Sequence, residues 1–212
     1  SEMCIRDRIN IGTLTHNNEA DLIKIGKIAN QLGTPIVFDP VAVGASQYRK
    51  DFCKNFLSEV KVAVIKGNAS EILTLIDTNT TMKGTDGDSS LNAIEIAKKA
   101  HQKYHTAIVV TGKEDIVVQD GKVTQLSNGS PMSAKITGAG CLLGGIITSF
   151  LFRNNHPQQE TLVEAVSFYN IAGEIAENAD HVKGPGSFLP ELLDQMYLLD
   201  YQTFEKYVRK EE

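Results

Sequence analysis

Apolar residues recur along this chain with two periods. Short unbroken runs rich in Val and Ile read as buried strands over Ile9–Leu14, Pro35–Asp39, Lys61–Ile65 and Thr106–Gly112. Between them, apolar positions return every three or four residues, the period of a helix face. Leu22, Ile25, Ala29 and Leu32 form one such face, which Gly33 stops. Tyr48, Phe52 and Phe56 mark a second, and KGNASEIL at 66–73 opens a third. Leu91, Ile94, Ala97, Lys98 and Ala100 give a fourth, running to Tyr104. PVAVGAS at 40–46 and the polar, glycine-rich TMKGTDGDSS at 81–90 read as loops.

Farther on, DIVVQDGKVTQLS at 115–127 places two runs around Asp120-Gly121, a hairpin signal. Helices follow at Ala139–Phe152 and Thr161–Asn178, then short ones to the C-terminus. Strands that alternate with helices and are apolar throughout belong to a parallel sheet covered on both faces. The expected fold class is therefore α/β: a mostly parallel central sheet with helices on both faces and an added β-hairpin. Ligands of such sheets sit beyond the carboxyl ends of the strands. Asp39, Lys66 and Thr111 fall at those ends, and so does the 136–141 loop if a short strand leads into it.

Residues 1–8, SEMCIRDR, carry no element period and run straight into the first strand. They resemble a translated adapter sequence and are set outside the fold as a non-native tail; the plainer alternative is a disordered terminus. With 212 residues, 42% hydrophobic and 22% charged, the remainder suffices for one domain with an ordinary core. A net charge of -5 without a basic stripe disfavours nucleic acid as a partner. The three cysteines are far apart and odd in number, which suits a reducing, cytoplasmic setting. The apolar run 141–152 is too short to span a bilayer. The five histidines lie among polar neighbours without ligand spacing and read as surface residues. Cys53, between aromatic residues, reads as core.

ITGAGCLLGG, 136–145, holds the densest candidate chemistry. Gly138-Ala139-Gly140 opens a helix whose first N–H groups have no partner within the helix, a site suited to phosphate. A plain tight turn is the alternative. Cys141 then sits at the helix start, a place that lets a thiol be partly thiolate, with a small buried apolar residue as the alternative. No G-x-x-x-x-G-K-[ST] exists, and a G-x-G-x-x-G dinucleotide motif fails because the third glycine falls late, at Gly144. Asn68 and Glu71 match a capping box, yet Glu71 at a strand end also suits Mg²⁺ through water. Lys66 suits a phosphate as a point charge, and Asp39-Pro40 has both a turn reading and a Mg²⁺ reading.

FDPVAVGAS, VIKGNASEI, VVTGKED and ITGAGCLLGG, in this order, resemble the hydroxyethylthiazole kinases of the ribokinase-like superfamily. The resemblance runs from Ile9 to the C-terminal region. It implies phosphorylation of 4-methyl-5-(2-hydroxyethyl)thiazole by ATP with Mg²⁺, a step of thiamine salvage, in a trimer with active sites between subunits. Carried over by position, Lys66 and Thr111 bind ATP and Asn68 supports the phosphate end. Asp39 and Glu71 serve the Mg²⁺–phosphate region. Gly138 contacts the thiazole through its backbone, and Gly138 and Gly140 hold the developing charge. Cys141 stands where most sugar kinases of the superfamily carry an aspartate base. The family begins with further residues, including a first strand and a Met-containing loop over the thiazole, and residues 1–8 match none of them. The expected organisation is thus a tail over 1–8 and a single kinase domain over 9–212 lacking its N-terminal segment. Rival readings are a related sugar, pyridoxal or hydroxymethylpyrimidine kinase, and a non-catalytic fragment that retains nucleotide binding. A dinucleotide-dependent oxidoreductase ranks last.

Overall fold

The structure, a computed structural model, describes residues 7–76, 89–151 and 154–211. Its centre is a seven-stranded sheet: β1 (Asp7–Asn10), β2 (Ile36–Asp39), β3 (Val64–Asn68), β4 (Ala107–Thr111), β5 (Asp115–Gln119), β6 (Lys122–Leu126) and β7 (Lys210–Glu211). The strands lie side by side in chain order. β1 to β4 are parallel, and β4 to β7 are antiparallel. The hairpin turns at Asp120 and Gly121, both with positive φ of 52° and 76°, as a two-residue primed turn demands.

A sequential parallel order fixes where the helices go. Right-handed crossovers between neighbouring strands, all progressing one way, place the connecting helices on one face. α1 (Glu19–Gln31), α2 (Gln47–Glu59), α3 (Ala69–Ile76) and α4 (Ser89–Tyr104) contribute to one apolar cluster, with Ile36, Phe38, Ile65, Ile108 and Ile116 of the strands. The alternate strand residues Val37, Val64, Val109 and Val117 turn to the other face. There α5 (Ala139–Phe150), α6 (Gln159–Glu177) and α7 (Pro185–Leu198) cover them. α8 (Tyr201–Tyr207) leads to the short edge strand β7. Among the described residues no helix is long and apolar enough to cross a membrane.

Several boundaries differ from the sequence expectation. β1 starts at Asp7, so Asp7 and Arg8, assigned to the tail, pair with Ile36 and Val37. β3 begins at Val64 and continues through Lys66 to Asn68, because those residues find partners in Val109 to Thr111. No strand leads directly into the 136–141 loop: a 3₁₀ turn over Pro131–Lys135 does. The loop at 81–90 lies outside the described residues up to 88, while Ser89 and Ser90 belong to α4. α1 is rotated partly from its expected face: Ile25 is 44% and Leu32 is 74% exposed, while Ala29 of that face is buried together with Gly26. A Cβ on Gly26 would meet Val60 at 2.7 Å, so α1 approaches α2 on its small residues.

Candidate active site

The carboxyl ends of β1 to β3 and the N-terminus of α5 converge on one spot. Asp39 closes β2 and is fully buried. Its Oδ2 accepts from Asn10 Nδ2 at 3.1 Å and lies 3.5 Å from Lys66 Nζ and 3.6 Å from Arg8 Nη2. Its Oδ1 is buried with no hydrogen-bond partner among the described residues. Lys66, 4% exposed, also donates to the Gly140 carbonyl at 2.9 Å. The lysine thus ties β2, β3 and the start of α5 together. Gly144, one turn into α5, leaves room for Arg8: a Cβ there would stand 2.9 Å from Arg8 Nε.

Gly138 is the residue before α5, at φ 94°, a conformation glycine adopts without strain. Among the described residues nothing stands within 4 Å of where its Cβ would be. The first hydrogen bond of the helix runs from Leu142 N to Gly138 O at 2.8 Å. The amides of Gly140 and Cys141 therefore precede the intrahelical ladder, at the positive end of the helix dipole. Tyr169 on α6 braces the loop by donating its hydroxyl to Ala139 O at 3.0 Å, and burial pushes that phenol up to about 12. Cys141 is half-buried, and its Sγ accepts from Asn10 Nδ2 at 3.3 Å.

Asn68 and Glu71 form the reciprocal box that their spacing suggests. Asn68 Oδ1 accepts from Glu71 N at 2.8 Å, and Glu71 Oε2 accepts from Asn68 N at 2.9 Å. Glu71 Oε1 also takes the Ala42 amide at 2.9 Å, where Ala42 has φ 54°. Arg49 donates to the carbonyls of Ile11, Val41 and Ala42, holding the loop after β2 against that after β1. Thr111 pairs with Asn68 in the sheet, so it sits at the same edge. Gly112, next in the chain, donates its amide to Asp115 Oδ1 at 2.9 Å, and Asn170 of α6 donates to Asp115 Oδ2 at 2.7 Å.

Asp39, Lys66, Gly138, Gly140 and Cys141 are thus brought together, with Asn68, Glu71 and Thr111 along the same sheet edge. The sequence reading missed Asn10, Arg49, Asp115 and Tyr169. Asn10 lies at the carboxyl end of the first strand, the position that drew attention to Asp39, and that signal could have found it. The others are tied to the site by contacts between distant segments. His16, His105, His156 and His181 are exposed, as read from their polar neighbours, whereas His101 is half-buried with Nδ1 2.7 Å from the Thr106 carbonyl. Cys53 is fully buried, and burial pushes its thiol up to about 12. A hollow of about 610 Å³ lies at the opposite, amino end of the strands, lined by Asn30, Glu59, Lys61, Tyr104 and His105 among others, and it holds none of the candidate residues.

The sequence model of the hydroxyethylthiazole kinase family matches residues 7–202. The chain belongs to the hydroxyethylthiazole kinase family. It is 68% identical over 204 residues to the hydroxyethylthiazole kinase of Staphylococcus haemolyticus, covering 96% of this chain and 78% of that relative. The solved hydroxyethylthiazole kinase of Pyrococcus horikoshii superposes with a TM-score of 0.86 at 31% identity, over 98% of this chain and 76% of that one. A ribokinase-like superfamily protein of Enterococcus faecalis shares the fold, with a TM-score of 0.57 at 20% identity over 84% of this chain and 59% of its own. The family's fold is therefore the α/β arrangement described above.

Proposed function

We propose that this chain transfers the γ-phosphoryl group of ATP to the primary alcohol of hydroxyethylthiazole. The observation that carries the reading is Cys141, accessible at a glycine-opened helix N-terminus and within one hydrogen-bonded residue of the Asp39–Lys66 pair. The alcohol oxygen attacks the γ-phosphorus as the bond to the β–γ bridging oxygen breaks and ADP departs. The hydroxyl proton passes to Cys141 Sγ. Charge that spreads over the transferring group is met by the amides at the start of α5, and such preorganised donors dominate catalysis of this transfer. Gly138 lends its open backbone to the thiazole. Thr111 and Asn68 line the ATP edge, and Lys66 fixes Gly140 so that the amides around it stay aimed.

Magnesium belongs to this proposal on the chemistry of Asp39. Mg²⁺ is held by one or two carboxylates with substrate phosphates and waters, and the buried Oδ1 of Asp39, unpartnered among the described residues, is an acceptor of that kind. Glu71 spends both oxygens on backbone amides and would reach the ion through water. When bound, the ion neutralises charge on the β- and γ-phosphate oxygens. A homotrimer with active sites between subunits and a cytoplasmic setting complete the reading, by analogy with the family.

The test is ATP-dependent turnover by the purified chain across a panel of hydroxyethylthiazole, hydroxymethylpyrimidine, pyridoxal and a hexose. Turnover with the thiazole alcohol at the highest kcat/KM is expected. Preference for another alcohol reassigns the substrate, and ATP binding without turnover of any of them makes the chain a nucleotide-binding fragment.

A further inference from the structure

We propose that Asn10 is a positioning residue that holds the Cys141 sulfur as a hydrogen-bond acceptor facing the substrate hydroxyl. The inference rests on the reading of Cys141 as the proton acceptor. Its basis is the orientation of one side-chain amide. Asn10 Oδ1 accepts from the Gly12 amide at 2.8 Å. That bond decides which end of the amide is which: the oxygen is committed to the backbone, so the NH₂ end must face the other way. Its two hydrogens then have two acceptors, Asp39 Oδ2 at 3.1 Å and Cys141 Sγ at 3.3 Å. A flipped amide would set an oxygen against a carboxylate and an N–H against an N–H. Gly12 belongs to the device, since a Cβ there would stand 2.9 Å from Asn10 Oδ1 and push the side chain away.

The consequence is chemical. A sulfur that accepts from Asn10 cannot point its own hydrogen along that line, so the contact fixes which side of the sulfur is left for the substrate hydroxyl. Hydrogen bonding to the charged form of a group stabilises that form. The charged side chains around the contact come from three strands: Arg8 of β1, Asp39 of β2 and Lys66 of β3. Asn10 is the neutral link between them and the sulfur. When Cys141 takes the alcohol proton it becomes a thiol, and the second hydrogen of Asn10 stays with Asp39. The amide therefore keeps the base and the buried carboxylate in fixed relation through the transfer.

Two variants separate donation from packing. Asn10→Ala removes the side chain. Asn10→Asp keeps its shape and the acceptor for Gly12 but removes both donors. The first readout is the rate of iodoacetamide alkylation of Cys141 against pH, followed on the Cys141 peptide by mass spectrometry so that other cysteines do not contribute. We expect the midpoint to rise by about one pH unit in Asn10→Ala, and by more in Asn10→Asp. The second readout is steady-state kinetics with ATP varied. A fall in kcat of about tenfold or more is expected, with the KM for ATP within about twofold of the parent. Alkylation midpoints that do not move in either variant overturn the proposal, as does an unchanged kcat in a parent that turns over. Alkylation is read without substrate, so a parent inactive toward the thiazole alcohol would sink the functional reading alone and leave the Asn10–Cys141 contact to be judged on its own midpoint.

Discussion

At the scale of the residue, the site is a set of short polar contacts in which few groups have a single partner. Lys66 is the clearest case. Its position at a strand end suggests a point charge for phosphate, and the structure buries it against Asp39 and the Gly140 carbonyl. A buried charge must be paired or it shifts its state, so the lysine serves the architecture of the loop as well as its field. Cys141 is different, half-buried and reached by one donor. Serine in its place keeps the backbone amide and the volume but offers a far weaker base. Cys141→Ser is expected to lower kcat by about 10²-fold, the usual worth of general-base assistance, while the KM for ATP stays nearly unchanged. Kinetics on the purified variant check this, and an unaltered kcat removes the sulfur from proton transfer.

At the scale of the element, α3 shows how one motif serves two ends. Asn68 and Glu71 cap the helix reciprocally, and Glu71 also holds the Ala42 amide in the loop after β2. Capping and phosphate chemistry can be separated by substitution. Glutamine still completes a capping box, but it carries no charge and its single oxygen can serve only one of the two amides that Glu71 holds. Glu71→Gln is therefore expected to melt a few degrees below the parent and to turn over at least about tenfold more slowly, if the carboxylate acts on the phosphate end. Glu71→Ala should lose activity and about 1 kcal/mol of stability together. Thermal melts beside turnover decide it, and equal activity of Glu71→Gln and the parent would leave Glu71 a cap alone. α1 carries a second lesson at this scale: apolar spacing identified the helix and Ala29, while Gly26, which no apolar pattern marks, set the side that packs closest.

At the scale of the whole molecule, Asp115 joins the antiparallel half of the sheet to α6 through Asn170 and to the loop after β4 through Gly112. Burial pushes its carboxyl above the ordinary 3.8, against the opposing hydrogen bonds from Asn170 and Gly112 and the charge of Lys66. The folded state therefore holds this proton to higher pH than the unfolded chain does. Where the unfolded chain has lost the proton and the folded one has not, stability falls as pH rises. The contribution is most favourable below about 3.8 and is lost as pH climbs through the raised folded value. Asp115→Asn removes this titration, with the Asn170 amide turning to accept. Urea unfolding between about pH 4 and 7 should show the variant gaining on the parent as pH rises. Parallel stability profiles would mean that Asp115 does not hold its proton in the fold.

Much of this protein was determined by local pattern alone. Buried Val/Ile runs and a 3.6-residue period gave the strands, the helices and the α/β class, because each depends on neighbours within a turn or a pleat. Asp120-Gly121 set the hairpin, and Asn68 with Glu71 set the cap, since three or four residues suffice for those geometries. Motif order carried the family, and with it the proposal that Asp39, Lys66, Gly138, Gly140 and Cys141 form the site. Tertiary structure alone decided the contacts that span the chain. Asn10 and Cys141 are 131 residues apart, Lys66 and Gly140 are 74 apart, and Asp115 and Asn170 are 55 apart. No periodicity records such separations. They arise because a sequential parallel sheet aligns its carboxyl ends in one row, and α5, crossing the other face, sets its open N-terminus against that row.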